Sequence, residues 1–218
     1  MVQAADQVIG GLVKLMRPVV ASLAFVSLGI IAVANTTPDP LTIVFRFDGP
    51  YSEKSLLEMK RELGTILKGS GIQIDWRAES DVAVTDSFPN LVVVKFRGKC
   101  RMEPVPYLYD ERGPLGFTYS TDGAVLPFSE IECDKVRSSL HTAMFGGDYK
   151  RSDLLFGRAL ARVLAHELYH VLAKTHSHTG QGIAEKSLSG TQLISERLQL
   201  SQAELNQMHD AVQSPGNR

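Results

Sequence analysis

His166-Glu167-Leu168-Tyr169-His170 constrains this chain more than any other stretch, because it sets ionisable groups inside a long apolar run. Leu155, Ala159, Leu160, Val163, Leu164, Leu168, Val171 and Leu172 recur at three- and four-residue spacing, the period of a helix with a broad buried face. Residues four apart lie one turn above each other, so His166 and His170 can offer ring nitrogens to one metal ion, with Glu167 beside them and off the metal. Neutral imidazoles suit Zn²⁺, and an open zinc site takes three protein ligands and leaves a fourth position for water. The competing reading is two helical histidines that are merely solvated or hydrogen-bonded.

The third ligand has to come from outside this pair. His176 is the leading candidate, yet on a straight helix six residues would carry it about 9 Å along the axis and off the face. The helix is therefore expected to break between Val171 and Thr175. His178 or a downstream carboxylate such as Glu185 are the alternatives if the chain turns differently.

The spacing of His166, His170 and His176 resembles the metzincin clan of zinc peptidases, whose pattern is H-E-x-x-H-x-x-G-x-x-H. Ser177 is also the residue found after the third histidine in the matrixin branch. The resemblance implies His166, His170 and His176 as ligands of one catalytic zinc and Glu167 as the general base. It implies a protein or peptide substrate that lies extended along an edge strand of the sheet. The chain departs from the pattern at Ala173, where the clan has a glycine with positive φ. The methionine turn beneath the metal is also missing, with Leu188 the expected apolar floor, and the clan's following tyrosine has no counterpart. A gluzincin-type peptidase with Glu185 or Glu196 as third ligand, and a zinc-stabilised binding protein without turnover, are the competing functional readings.

Near-neutral balance, a net charge of −1 with 44% hydrophobic residues, describes a globular chain and argues against a nucleic-acid partner. At the N-terminus, Lys14 and Arg17 precede an uncharged apolar stretch closed by Ala32-Val33-Ala34. This is the layout of a cleaved signal peptide over residues 1–34. Retention of the uncharged 18–38 segment as a membrane anchor is the alternative, and either way the rest is expected to be extracellular or periplasmic. Cys100 and Cys133 are the only cysteines, and an even pair in an exported chain favours a disulfide.

Residues 35–218 then read as one α+β domain, expected to be monomeric. Leu41–Phe47 is a strand rich in β-branched and aromatic residues, and Ser52 caps a helix that runs to Leu67 and stops at Gly69-Ser70-Gly71. Ile72–Trp76 and Leu91–Phe96 are further strands, and a crossover helix implies parallel pairing of the first two. Gly116–Tyr119 and Ala124–Phe128 flank Asp122-Gly123 as a hairpin, with Pro127 placing the second strand at an edge. A helix is expected within 129–140. The active-site helix is expected to be capped by Ser152 or Asp153, with Arg158 and Arg162 on its wetter side. Ser201 and Glu204 form a capping box for a last helix. The whole is a metzincin-like layout: a twisted mixed sheet with a backing helix and the active-site helix (about 41–176), then a small C-terminal subdomain (about 177–212).

Overall fold

The computed structural model describes residues 39–103 and 113–213, all within a single compact unit spanning 37–218. The expected signal peptide, and most of the irregular loop after Cys100, lie outside the described residues. The chain is α+β, with a five-stranded mixed sheet. Its strands are β1 (Leu41–Phe47), β2 (Ile74–Ala78), β3 (Leu91–Arg97), β4 (Gly116–Thr121) and β5 (Ala124–Glu132), in the order β2-β1-β3-β5-β4.

β1 pairs in parallel with both β2 and β3, and α1 (Glu53–Ile66) is the crossover between the first two. Ser52 caps α1 as expected, its hydroxyl accepting from the Ser55 amide at 3.4 Å. After a 3₁₀ turn over Leu67–Ser70, Gly71 leaves in the left-handed region at φ 71°, where a side chain would be strained. The period-2 pattern of β3 buries Val92, Val94 and Phe96 completely and leaves Leu91, Val93 and Lys95 half-buried, so only one face joins the core.

The hairpin forms where its turn chemistry demands. Asp122 and Gly123 both have positive φ, 50° and 80°, as a two-residue turn matched to strand twist requires. The strand at the edge is nevertheless the first of the two, not the second. β5 runs beyond the expected Phe128 to Glu132 and pairs in parallel with β3, from Val93 opposite Phe128 to Arg97 opposite Glu132. Pro127 is accommodated because it precedes that ladder and faces the irregularity between Thr118 and Ser120 of β4, where no amide donor is needed.

α2 (Cys133–His141) follows β5 directly, and its first residue is joined to Cys100 by a disulfide with a Cα separation of 5.0 Å. The bond ties the loop after β3 to the start of α2, and both cysteines are buried. α3 (Ser152–Ala173) is the central helix. It packs against α1, the sheet, α4 (Gly190–Ile194) and α5 (Gln202–Gln213).

Two expectations for α3 fail. Neither Ser152 nor Asp153 caps it; both lie within the helix, and the Asp153 carboxylate accepts from the hydroxyls of Ser52 (2.8 Å) and Ser55 (3.1 Å), tying the starts of α1 and α3 together. Arg162 is not on a wet face. It is 1% exposed and donates through Nη1 to the carbonyls of Gln192 (2.8 Å) and Leu193 (2.9 Å), and through Nη2 to Glu62 (3.2 Å). Arg158, also on α3, donates to the Ile194 carbonyl at 3.0 Å. The last turn of α4 exposes carbonyls that its own helix cannot satisfy, and two arginines one turn apart on α3 meet them. At α5 the capping box forms as read, with Ser201 N donating to Glu204 at 2.7 Å and Glu204 N to the Ser201 hydroxyl at 3.3 Å.

Candidate metal centre

His166 and His170 occupy the C-terminal half of α3, where packing on several sides fixes the backbone that carries them. Each ring is held at Nδ1. His166 Nδ1 lies 2.8 Å from the Ile183 carbonyl, and His170 Nδ1 lies 2.8 Å from the Thr175 carbonyl. A carbonyl oxygen only accepts, so both Nδ1 atoms carry the proton and both Nε2 atoms present lone pairs. Those two Nε2 atoms face each other at 3.0 Å.

Two acceptors so close call for a cation between them. A proton serves poorly: burial is the main cause that brings the His166 pKa down to about 4, with the Ile183 carbonyl opposing, and it lowers that of His170 as well. The donor set therefore fits a metal ion. Ligand imidazoles held through their other nitrogen by backbone carbonyls are the usual arrangement around such ions.

The third imidazole is His178. Its ring centroid is 5.2 Å from that of His166 and 4.8 Å from that of His170, and the three residues offer nitrogens within 4.8 Å of one another. His166, His170 and His178 form the metal-capable group among the described residues. His176, the leading candidate from spacing, is not in it; it is exposed and lines the adjoining cavity. Glu185 accepts from the Gln192 side-chain amide at 3.1 Å instead of joining the histidines, and Glu196 is exposed.

The exchange of His176 for His178 follows from how α3 ends. Ala173 stays helical, and Lys174 takes the left-handed conformation (φ 51°, ψ 42°), one residue later than the clan's glycine. The amides of Lys174 and Thr175 both donate to the His170 carbonyl, which closes the helix. The Thr175 hydroxyl then accepts from the Ser177 amide at 3.0 Å, forming a small turn that leaves His176 outside. Past the turn, the Thr179 amide donates to the Ala184 carbonyl at 2.9 Å, and this pairing runs His178 alongside the two helical rings. The same return segment carries Ile183, whose carbonyl orients His166.

Glu167 points to the sheet side of the histidines and is 3% exposed. Burial pushes its pKa up to about 7, opposed by the Thr118 hydroxyl, which donates to Oε2 at 2.8 Å. Two cavities meet at this carboxylate. One, of about 290 Å³, is bordered by Phe117, Thr118, His166, His170 and His178. The other, of about 250 Å³, is bordered by Leu115, Val163, Glu185 and Leu188. Leu188 thus lines a cavity next to the histidines while packing in part against the core.

The metal-capable group contains His166 and His170, both read from the sequence, with His178, the alternative there, in place of the leading candidate His176; Thr118 and the carbonyls of Thr175 and Ile183 carry no such sequence signal. No protein-family model matches the chain, and no curated protein matches it. The geometry of the site therefore carries the functional reading.

Proposed function

We propose that this chain is an exported zinc endopeptidase, with His166, His170 and His178 as ligands and Glu167 as general base. One observation carries the reading: three imidazoles and a buried carboxylate converge where two cavities meet, beside the strand that ends the sheet. A zinc ion held there supplies Lewis acidity, which polarises a carbonyl and acidifies water.

The remaining steps belong to the chain's own residues. Glu167 accepts a proton from the water that attacks the scissile carbonyl carbon, then delivers it to the amine nitrogen as the carbon–nitrogen bond breaks. β4, as the terminal strand, can receive an extended peptide through main-chain hydrogen bonds, which aligns the scissile bond along the Glu167 side of the histidines. The resemblance to metzincins points to the same reaction, although α3 ends differently and the third histidine is two residues later than in that clan.

Two further observations bear on the alternatives. A purely structural zinc site is closed by four protein ligands, whereas the group among the described residues has three, with an acid–base residue adjoining. Export accords with the Cys100–Cys133 disulfide. Among the described residues no helix is long and apolar enough to cross a membrane.

The test is cleavage of a mixed peptide library by zinc-loaded wild type and Glu167→Gln, with metal content measured in both. The variant should keep its zinc and lose about 10² to 10⁴ in kcat, the usual worth of a positioned general base. Wild type that holds zinc and cleaves nothing across a range of pH and salt would overturn the proposal in favour of a binding protein.

A further inference from the structure

The carboxylate of Glu167 is held from the sheet, by residues on β4 and β5 that belong to no metal ligand set. Thr118 Oγ1 lies 2.8 Å from Glu167 Oε2 and 3.3 Å from the Glu167 backbone carbonyl. It has one proton, and the shorter, charge-assisted contact takes it. Ser129 Oγ is 3.0 Å from Thr118 Oγ1 and is 2% exposed. With the threonine proton committed to the carboxylate, the serine hydroxyl must donate to the threonine oxygen.

The two hydroxyls face each other because Thr118 and Ser129 are direct partners in the antiparallel β4–β5 ladder. Side chains on the same face of a strand recur every second residue, so position 116 faces the same carboxylate. There the chain has glycine, and a Cβ would sit 3.0 Å from Glu167 Oε1 and 2.9 Å from a methyl of Val163. One strand therefore presents a donor to one carboxylate oxygen and, beside the other, a glycine where a side chain would crowd it.

We infer that Thr118 is a positioning residue, which with Ser129 behind it and Gly116 beside it fixes the Glu167 carboxylate so that Oε1 is left for the proton transfer. The assignment rests on the peptidase reading for its catalytic consequence, but not for the positioning itself. A hydrogen-bonded carboxylate has one rotamer and one free oxygen; an untethered one divides its time among several, of which only some face the substrate.

The experiment separates the two levels. Crystal structures of metal-free wild type and Thr118→Val are compared first, valine having nearly the same shape without the hydroxyl. Wild type should show one Glu167 rotamer within hydrogen-bond distance of Thr118, and the variant a displaced or divided carboxylate. A carboxylate unmoved in Thr118→Val overturns the inference whatever the activity.

Kinetics follow on zinc-loaded protein. Loss of one hydrogen bond to a charged group predicts a fall in kcat of about 10- to 100-fold, with KM and zinc content unchanged. Thr118→Ser, which restores the hydroxyl, should recover kcat to within about threefold. A fall shared equally by the serine and valine variants, or one confined to KM, also overturns it. Absence of any wild-type turnover would refute the peptidase reading while the crystallographic comparison still decides the positioning.

Discussion

Replacing Arg162 by methionine tests whether the buried side of α3 is understood. The arginine is 1% exposed and holds four acceptors: the carbonyls of Gln192 and Leu193, the Ser195 hydroxyl oxygen and the carboxylate of Glu62, which is itself 8% exposed. Methionine keeps most of the length and apolar stem but removes every donor. Breaking a buried ion pair by deleting one partner costs about 3–5 kcal/mol, because the remaining charge is left desolvated. Two arginines temper this: Arg61 reaches Glu62 at 3.7 Å from a side chain 58% exposed, and Arg158 stands 4.0 Å away. The lower end of the range, about 3 kcal/mol, is therefore expected.

The assay is urea unfolding with the slope of the transition held as a control on two-state behaviour. Adding Glu62→Leu to Arg162→Met should recover part of the loss, with a coupling of at least about 1 kcal/mol between the two sites. A single-variant cost within about 0.5 kcal/mol would be the signature of a solvated residue. That result would refute the buried tether and return Arg162 to the wetter face that the helical pattern alone suggests.

The disulfide closes a loop with a sequence separation of 33. In the chain-entropy account, Cys100→Ala with Cys133→Ala should lower stability by about 3–4 kcal/mol, read from the same urea transitions, and thiol counting on denatured, unreduced wild type should find none free. At the end of α3, Lys174 holds a φ of 51°, which costs a non-glycine residue about 1 kcal/mol. Lys174→Gly should therefore raise the thermal midpoint slightly, while Lys174→Val should lower it by several degrees; the opposite order would mean that the helix does not end at this residue.

Local chemistry was legible wherever it is written in adjacent residues. Ser52 as a cap, Asp122-Gly123 as a turn and Ser201 with Glu204 as a capping box all depend on partners within three positions. The two helical histidines were legible for the same reason, since helix geometry alone brings positions 166 and 170 together. What failed involved long-range placement. Pro127 looks like an edge marker, and nothing near it says that β3 will begin pairing one residue later. Arg162 looks solvated because the carbonyls that satisfy it lie about thirty residues downstream.

The clan's spacing favours His176 over His178 because it assumes a helix that stops at a glycine. With Ala173 in that place, the helix takes one more residue, and the Thr175 turn shifts which ring returns to the two helical histidines. Thr118 had no sequence signal at all. Its role depends on cross-strand register, which is set by the whole hairpin and not by its neighbours.

Zinc binding by His178→Ala and His176→Ala, compared with wild type, addresses the arrangement of the site most directly. Both residues are exposed, so neither substitution should disturb folding, and the thermal midpoints of the metal-free proteins should agree. Metal content after reloading and dialysis, with affinity measured by chelator competition, supplies the comparison. The expected result is one zinc per chain in wild type and in His176→Ala, and in His178→Ala an affinity weaker by more than about 100-fold, beyond what loss of a supporting residue behind a ligand costs. Zinc retained by His178→Ala and lost from His176→Ala would contradict the account, because α3 would then have to end where the clan's helix ends and not at Lys174.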